Sequence, residues 1–299
     1  MTKVFLPVCD YDLAATLDSG QAFRWQSEGD SWCGVVGRHW VRLTQIEGGI
    51  QAETLEFVAD WQWLRDYLQI DLDLEAVLRT FPDDEPMRAA VAACRGLRVL
   101  RQDPWECLAS FILSSTKQIV QIRQIVALLC ERFGEPLGKP GNTQNPKTET
   151  DQPAAGSGIH GASFSFPTPQ RLAAAAEDEL RACKMGFRAP YLLAAARQIA
   201  GGHFDLGQLR HQPLSEARAK LMNLPGVGGK IADCVLLFAY GFDAAFPVDV
   251  WVERALRQLY FPRRRVTARR LRHFAAHHFG PQAGYAQQYL FHFIRTKLG

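Results

Sequence analysis

Apolar and polar positions divide the chain into two regimes. From residue 1 to about 60 the pattern is strand-like. The stretch FRWQSEGDSWCGVVGRHWVRLTQ is rich in Val, Trp and Phe, with turn signals at Glu28–Asp30 and Gly37. From Leu64 onward apolar residues recur at helical spacing, in ECLASFILSS, QIRQIVALLCERF, DELRACKM, PYLLAAARQIA and DCVLLFAY. The segment EPLGKPGNTQNPKTETDQPAAGSGIHGAS, near 135–163, is packed with Gly, Pro, Asn, Thr and Ser and reads as a flexible surface insertion. The expectation is an α+β protein, an N-terminal antiparallel β-sheet unit packed on a mostly helical core, divided into an N-terminal α+β domain (1–100) and a helical core (101–299).

Composition narrows the function classes. At 299 residues, with 47% apolar and 22% charged content, the chain is an ordinary globular protein able to bury a large core. No apolar run approaches the roughly 20 residues that span a bilayer, and the N-terminus lacks the apolar core of a signal peptide. The seven cysteines are odd in number and scattered, which fits reduced thiols better than a disulfide framework. Net charge is +3, yet residues 254–299 hold ten Lys/Arg and no Asp or Glu. Such a basic segment suggests a polyanion, most commonly nucleic acid; a solvated basic helix face is the alternative.

The stretch LPGVGGKIADC (Leu224–Cys234) carries the sharpest signal. It is not a P-loop: Leu224 stands where that motif needs glycine, and Ile231 where it needs Ser or Thr. ARAKLMN before it and KIADCVLLFAY after it are helical in pattern, so PGVGG is a glycine-rich hairpin between helices near 215–240. Its glycines leave the N–H groups opening the second helix free for an anion such as a DNA phosphate. That makes it a helix–hairpin–helix clamp or, more blandly, a turn between helices.

Asp249, in FPVDVW, follows Lys230 by 19 residues. LPGVGGKIADC with FPVDV resembles the helix–hairpin–helix DNA glycosylases that have a Gly/Pro-rich loop and an essential aspartate. SGQAFRW, RQDPWECLASFILSS, MGFRAPY and GYAQQYLF match the 8-oxoguanine DNA glycosylase family in order and spacing. The similarity covers nearly the whole chain except the low-complexity insertion. It implies a bifunctional glycosylase/AP lyase that excises 8-oxoguanine from duplex DNA, Lys230 attacking the deoxyribose to give a Schiff base and Asp249 stabilising the positive sugar. Read without it, Lys230 is equally a phosphate-contacting lysine and Asp249 a helix N-cap.

The resemblance also assigns a base pocket. Cys234 and Phe291 would flank the extruded base, Gln287 would bond its Watson–Crick edge, and Phe238 would stand in for a pocket methionine. Gly20 would offer a carbonyl to N7, a bare acceptor in guanine and a donor once C8 is oxidised. Phe187 and Arg188 would wedge the stack and meet the orphaned base, while Gly226, Gly228 and Ile231 would seat the DNA backbone. Taken singly, Cys234 and Phe291 are as readily core residues and Gly20 an ordinary turn. Thr116, Lys117, Gln118 and Gln121 depart from the family where it reads the opposite cytosine, and Trp251 replaces the histidine of animal relatives.

No cofactor is expected to be required. An iron–sulfur cluster needs closely spaced C-terminal cysteines, and the last cysteine is Cys234. The resemblance implies a monovalent cation on the backbone carbonyls of Leu224 and Val227. Expected besides are double-stranded DNA with oxidised guanine as partner, no membrane, a monomeric state, and a nucleoid or nuclear location according to the host. The rival readings are a glycosylase for an alkylated purine and a non-catalytic DNA clamp.

Overall fold

The computed structural model describes residues 1–115, 117–138, 164–262 and 264–297. Thr116 and nearly all of the expected flexible insertion lie outside them. The N-terminal unit opens with β1 (Thr2–Pro7) and a short helix α1 (Leu13–Asp18), capped by Asp12 on Ala15 N–H. It continues through β2 (Gln26–Glu28), β3 (Ser31–Val36), β4 (His39–Ile46) and β5 (Gly49–Thr54). All pairings are antiparallel, in the order β1-β5-β4-β3-β2. Val41, Leu43, Ile50 and Ala52 are fully buried on its inner face, and Trp25 fills the space where a side chain at Gly34 would sit. α2 (Gln62–Leu68) closes this core with Leu64 and Leu68.

The helical part begins within the first hundred residues. α3 (Leu74–Leu78) and α4 (Glu85–Cys94) are capped by Asp73 and Asp84, and their apolar faces join the second, larger core. The boundary between the two cores therefore does not follow residue 100. α5 (Pro104–Leu113) starts with an Asp103 cap and Pro104 in the first turn, a strong start signal. From Cys107 to Leu113 it is buried on every side, and Ser114 at its end is buried too. α6 (Ile119–Phe133), α7 (Pro169–Ala173), α8 (Glu177–Leu180), α9 (Ala189–Ala200) and α10 (Leu214–Leu221) follow. After the hairpin come α11 (Gly229–Val235), running on into a π turn at Leu236–Tyr240, then α12 (Val250–Tyr260), α13 (Ala268–His278) and α14 (Ala283–Lys297). Among the described residues no helix is long and apolar enough to cross a membrane.

One predicted helix is broken. DELRACKM is made of good helix formers, but the helix loses its geometry at Cys183 (ψ 21°), and Lys184 takes a left-handed conformation (φ 64°). Cys183 and Met185 both enter the core, although residues two apart lie on different faces of a straight helix. Farther back, the neck of the 135–163 segment is closed: Ser165 N–H donates to Glu135 C=O at 2.8 Å and Glu135 N–H to Ser165 Oγ at 3.0 Å.

Gln21 joins the two units. Its Nε2 donates to the carbonyls of Thr16 (2.9 Å) and Arg98 (2.8 Å), while its Oε1 accepts from Leu100 N–H (2.8 Å), all buried. Gln21→Leu keeps the volume but strands these backbone groups. We expect a loss of about 3 kcal/mol, on the scale of buried polar groups left unpaired, read as a lower urea midpoint at unchanged m-value.

Candidate active site

The hairpin is built by its glycines in distinct ways. Gly226 has φ 79° and lies against the Tyr191 ring, where a Cβ would come within 2.7 Å of the side chain. Gly228 is the N-cap of α11 with open space before it. Gly229 leaves room for Arg218, which is bonded to Asp233 at 2.7 Å. The first intrahelical bond runs from Ala232 N–H to Gly228 C=O, so the N–H groups of Gly229, Lys230 and Ile231 are outside the α11 ladder. The Ile231 side chain does not lie on a DNA-facing surface: it is 5% exposed because it packs in the helical core, leaving only its N–H for a phosphate. Leu224 C=O accepts Val227 N–H at 3.1 Å, which closes the turn and leaves one lone pair for a cation.

Lys230 projects from the first turn of α11. Its Nζ donates to Ser114 Oγ at 3.1 Å and stands 5.1 Å from the Phe111 ring centroid. Ser114 Oγ in turn donates to Phe111 C=O at 2.7 Å. A hydroxyl has a single proton, so Ser114 can only accept from the lysine. In the neutral amine that contact engages an N–H and leaves the nitrogen lone pair free. Beneath the lysine, Phe111 stacks on Phe238 (5.5 Å, 18°) and meets Phe23 edge-on (5.5 Å, 70°).

Asp249 is indeed the N-cap of α12. It accepts from Trp251 N–H at 3.0 Å and Val252 N–H at 2.8 Å, both on Oδ1. The cap therefore fixes the carboxylate while Oδ2 stays outside it. Burial pushes the Asp249 pKa above the ordinary carboxylate value; the Val252 N–H, the Lys230 charge, the Trp251 N–H and the Arg295 charge oppose this. Lys230 and Asp249 thus sit within each other's field, from the starts of two different helices. The Cys234 thiol, one turn along from Lys230, is pushed up to about 12 by burial, so it is a neutral wall and not a nucleophile.

The remaining pocket residues converge from the N-terminal unit and α14. Gly20 has φ 77°, and a Cβ there would lie 2.7 Å from Ile119 Cδ1, 3.4 Å from Phe291 and 3.6 Å from Arg295. Gln287 and Phe291 are buried on one face of α14, and Gln287 Oε1 has no hydrogen-bond partner among the described residues. Gln288 Nε2 holds Ser19 C=O at 3.1 Å; Gln102 donates its N–H to Phe238 C=O at 2.7 Å and its Nε2 to Gln21 C=O at 2.6 Å.

Phe187 is 56% exposed beyond the left-handed turn, edge-on to Tyr191 at 6.5 Å. Tyr191 thus connects this loop to Gly226 of the hairpin. Arg188 differs from expectation: it is 2% exposed, with its guanidinium 4.2 Å from the Phe187 ring centroid and a bond to Met185 C=O. To meet an orphaned base it must swing out from under Phe187. Gln121 is engaged as the partner of the α6 cap, accepting Gln118 N–H at 3.2 Å, and Trp251 lies 5.6 Å from the Arg254 guanidinium. Ser114, Phe111, Ile119 and Arg295 had no assigned role in the sequence; the Lys230–Ser114 contact spans 116 residues, and no local pattern marks it.

Comparison with known proteins agrees with this architecture. Residues 3–108 match the 8-oxoguanine DNA glycosylase N-terminal domain family, and residues 109–279 match the HhH-GPD superfamily of base excision DNA repair proteins. The N-glycosylase/DNA lyase OGG1 of Arabidopsis thaliana is 32% identical over 93% of this chain and 76% of its own. The structure of MBOgg1 in complex with a low-affinity DNA ligand superposes with a TM-score of 0.89 at 32% identity, covering 100% of this chain and 97% of that one. The Clostridium acetobutylicum 8-oxoguanine glycosylase/lyase bound to duplex DNA with cytosine opposite 8-oxoguanine gives 0.86 at 27% identity, covering 99% of each. The chain belongs to the HhH-GPD superfamily of base excision DNA repair proteins, within its 8-oxoguanine DNA glycosylase family.

The Asp249 environment has a consequence for stability. A carboxyl whose pKa is raised by folding disfavours the folded state at neutral pH, and the penalty fades as pH falls through that raised value. Asn caps a helix as well as Asp. Asp249→Asn should therefore melt at or above the wild-type temperature at pH 7. The margin narrows on acidification and vanishes once unfolded-state carboxylates are protonated too, as thermal melts across pH will record.

Proposed function

We propose that this protein is a bifunctional DNA glycosylase/AP lyase that removes 8-oxoguanine from duplex DNA through Lys230. The observation that carries the reading is the pairing of a hairpin-borne lysine, held by an acceptor-only hydroxyl, with a capped carboxylate whose second oxygen is free. The family membership and the full-length likeness to an 8-oxoguanine glycosylase/lyase support it.

The deoxyribose C1′ bond to the base breaks as the neutral Lys230 Nζ bonds C1′, and the base departs with the electron pair. The amine's proton passes to the ring oxygen as the C1′–O4′ bond opens to the iminium, and removal of a C2′ proton then lets β-elimination expel the 3′ phosphate. Asp249 Oδ2 faces the positive charge that grows on the sugar and accepts a proton in the later transfers. Cys234 and Phe291 supply two apolar faces for the extruded base. Gln287, with Oε1 unmet, supplies an edge partner, and the Gly20 carbonyl distinguishes an N7 that carries hydrogen from one that does not. Phe187 fills the vacated stack and Arg188, once released, meets the remaining base. A monovalent cation on the carbonyls of Leu224 and Val227 would neutralise the negative end of α10 and brace the hairpin. Action on chromosomal DNA implies a nucleoid or nuclear site of work.

Borohydride trapping on duplexes with one lesion separates this reading from its rivals. An adduct with 8-oxoguanine DNA is expected, absent in Lys230→Gln although that variant still binds DNA. Release of alkylated base without an adduct would favour the alkylpurine reading, and binding alone the clamp. Varying the opposite base in the same assay reads out the effect of Gln121. Ser114→Ala should slow adduct formation about 10-fold by loosening the amine, with little change in duplex affinity. An unaltered trapping rate would remove Ser114 from the site.

A further inference from the structure

A lysine that becomes neutral to attack also withdraws its support from the neighbouring carboxylate. Among the described residues, Lys230 and Arg295 are cationic side chains that favour the charged form of Asp249. Once Lys230 gives up its proton, the carboxylate keeps the Trp251 and Val252 N–H groups and one permanent cation. Cys234, against the same carboxylate, is a neutral thiol and contributes no charge.

Arg295 lies on α14 one turn beyond Phe291 and two beyond Gln287, on the face that carries both. Its guanidinium carbon is 5.2 Å from the Phe291 ring centroid, and a Cβ on Gly20 would come within 3.6 Å of its Nη1. The side chain thus borders both the stacking ring and the lesion-reading backbone. Asp18 and Arg123 also face it, but Asp18 is bonded to Arg123 at 2.6 Å. Among the described residues Arg295 forms no ion pair of its own, although it is half-buried. Holding an unpaired guanidinium out of water is costly, and the pocket gives it something to do.

Building on the excision reading above, we propose that Arg295 is a positioning residue of the pocket: its fixed charge keeps Asp249 anionic while Lys230 is neutral, and its side chain seats Phe291 beside Gly20. It needs no contact with the reacting atoms.

The test is single-turnover excision from saturating 8-oxoguanine duplex between pH 5 and pH 9, for the wild type, Arg295→Met and Arg295→Lys. Removing a cation makes Asp249 harder to ionise. In Arg295→Met the acid limb should move up by roughly half to one pH unit. The rate at pH 6 should fall about 3- to 10-fold, with at most about a 2-fold loss at pH 8.5. Arg295→Lys should return the limb to its wild-type position. If Arg295→Met does not fold, Arg295→Gln carries the same expectation. A loss equal at every pH would assign Arg295 to packing alone, and a loss confined to duplex affinity would make it a phosphate contact; either overturns the proposal. Failure of the wild type to release base or form an adduct would overturn the excision reading itself, a separate result.

Discussion

An amine cannot be a cation and a nucleophile at once, and the chemistry proposed for Lys230 turns on that limit. Lys230 emerges from the first turn of α11, beside the Phe111 ring. It meets a hydroxyl already committed as a donor elsewhere, so the contact holds the nitrogen without occupying its lone pair. Opposite stands a carboxylate that folding makes harder to ionise and that cap hydrogen bonds and nearby cations pull back. The carboxylate thus has its charge set by opposing influences, burial on one side and hydrogen bonds with nearby cations on the other.

The apparent conflict between structural and chemical roles resolves at the level of atoms. Asp249 is both helix cap and candidate acid–base group because the two duties fall on different oxygens. Phe111 likewise is a core residue by burial, yet its ring underlies the lysine and its carbonyl anchors Ser114. Core and site are the same material here, which explains why α5 is buried from Cys107 to its end.

Much of this was legible in the chain because it is local. Glycines before an apolar helix, a carboxylate opening VWVERALRQL and a four-residue spacing on α14 follow from backbone rules that act within a turn or two. What required the fold was burial and distance. Arg188 was expected to meet DNA, but its side chain is hidden beside Phe187, and burial of the Ile231 side chain leaves its N–H as the group that can meet a phosphate. DELRACKM reads as one helix from propensity, yet its last residues bend so that Cys183 and Met185 can both point inward. Arg295 gave no signal, since a lone arginine near a C-terminus looks solvated until Phe291 and Gly20 are seen beside it.

Gln102 bridges the pocket from behind, binding Phe238 and Gln21 by their main-chain oxygens and not by their side chains. The frame that spaces the two walls is therefore indifferent to what those walls display. On the proposed reading, replacing the ring at 238 would reshape the base pocket while these main-chain bonds stayed put. The shape offered to an extruded base could then drift one substitution at a time, without the whole having to be rebuilt.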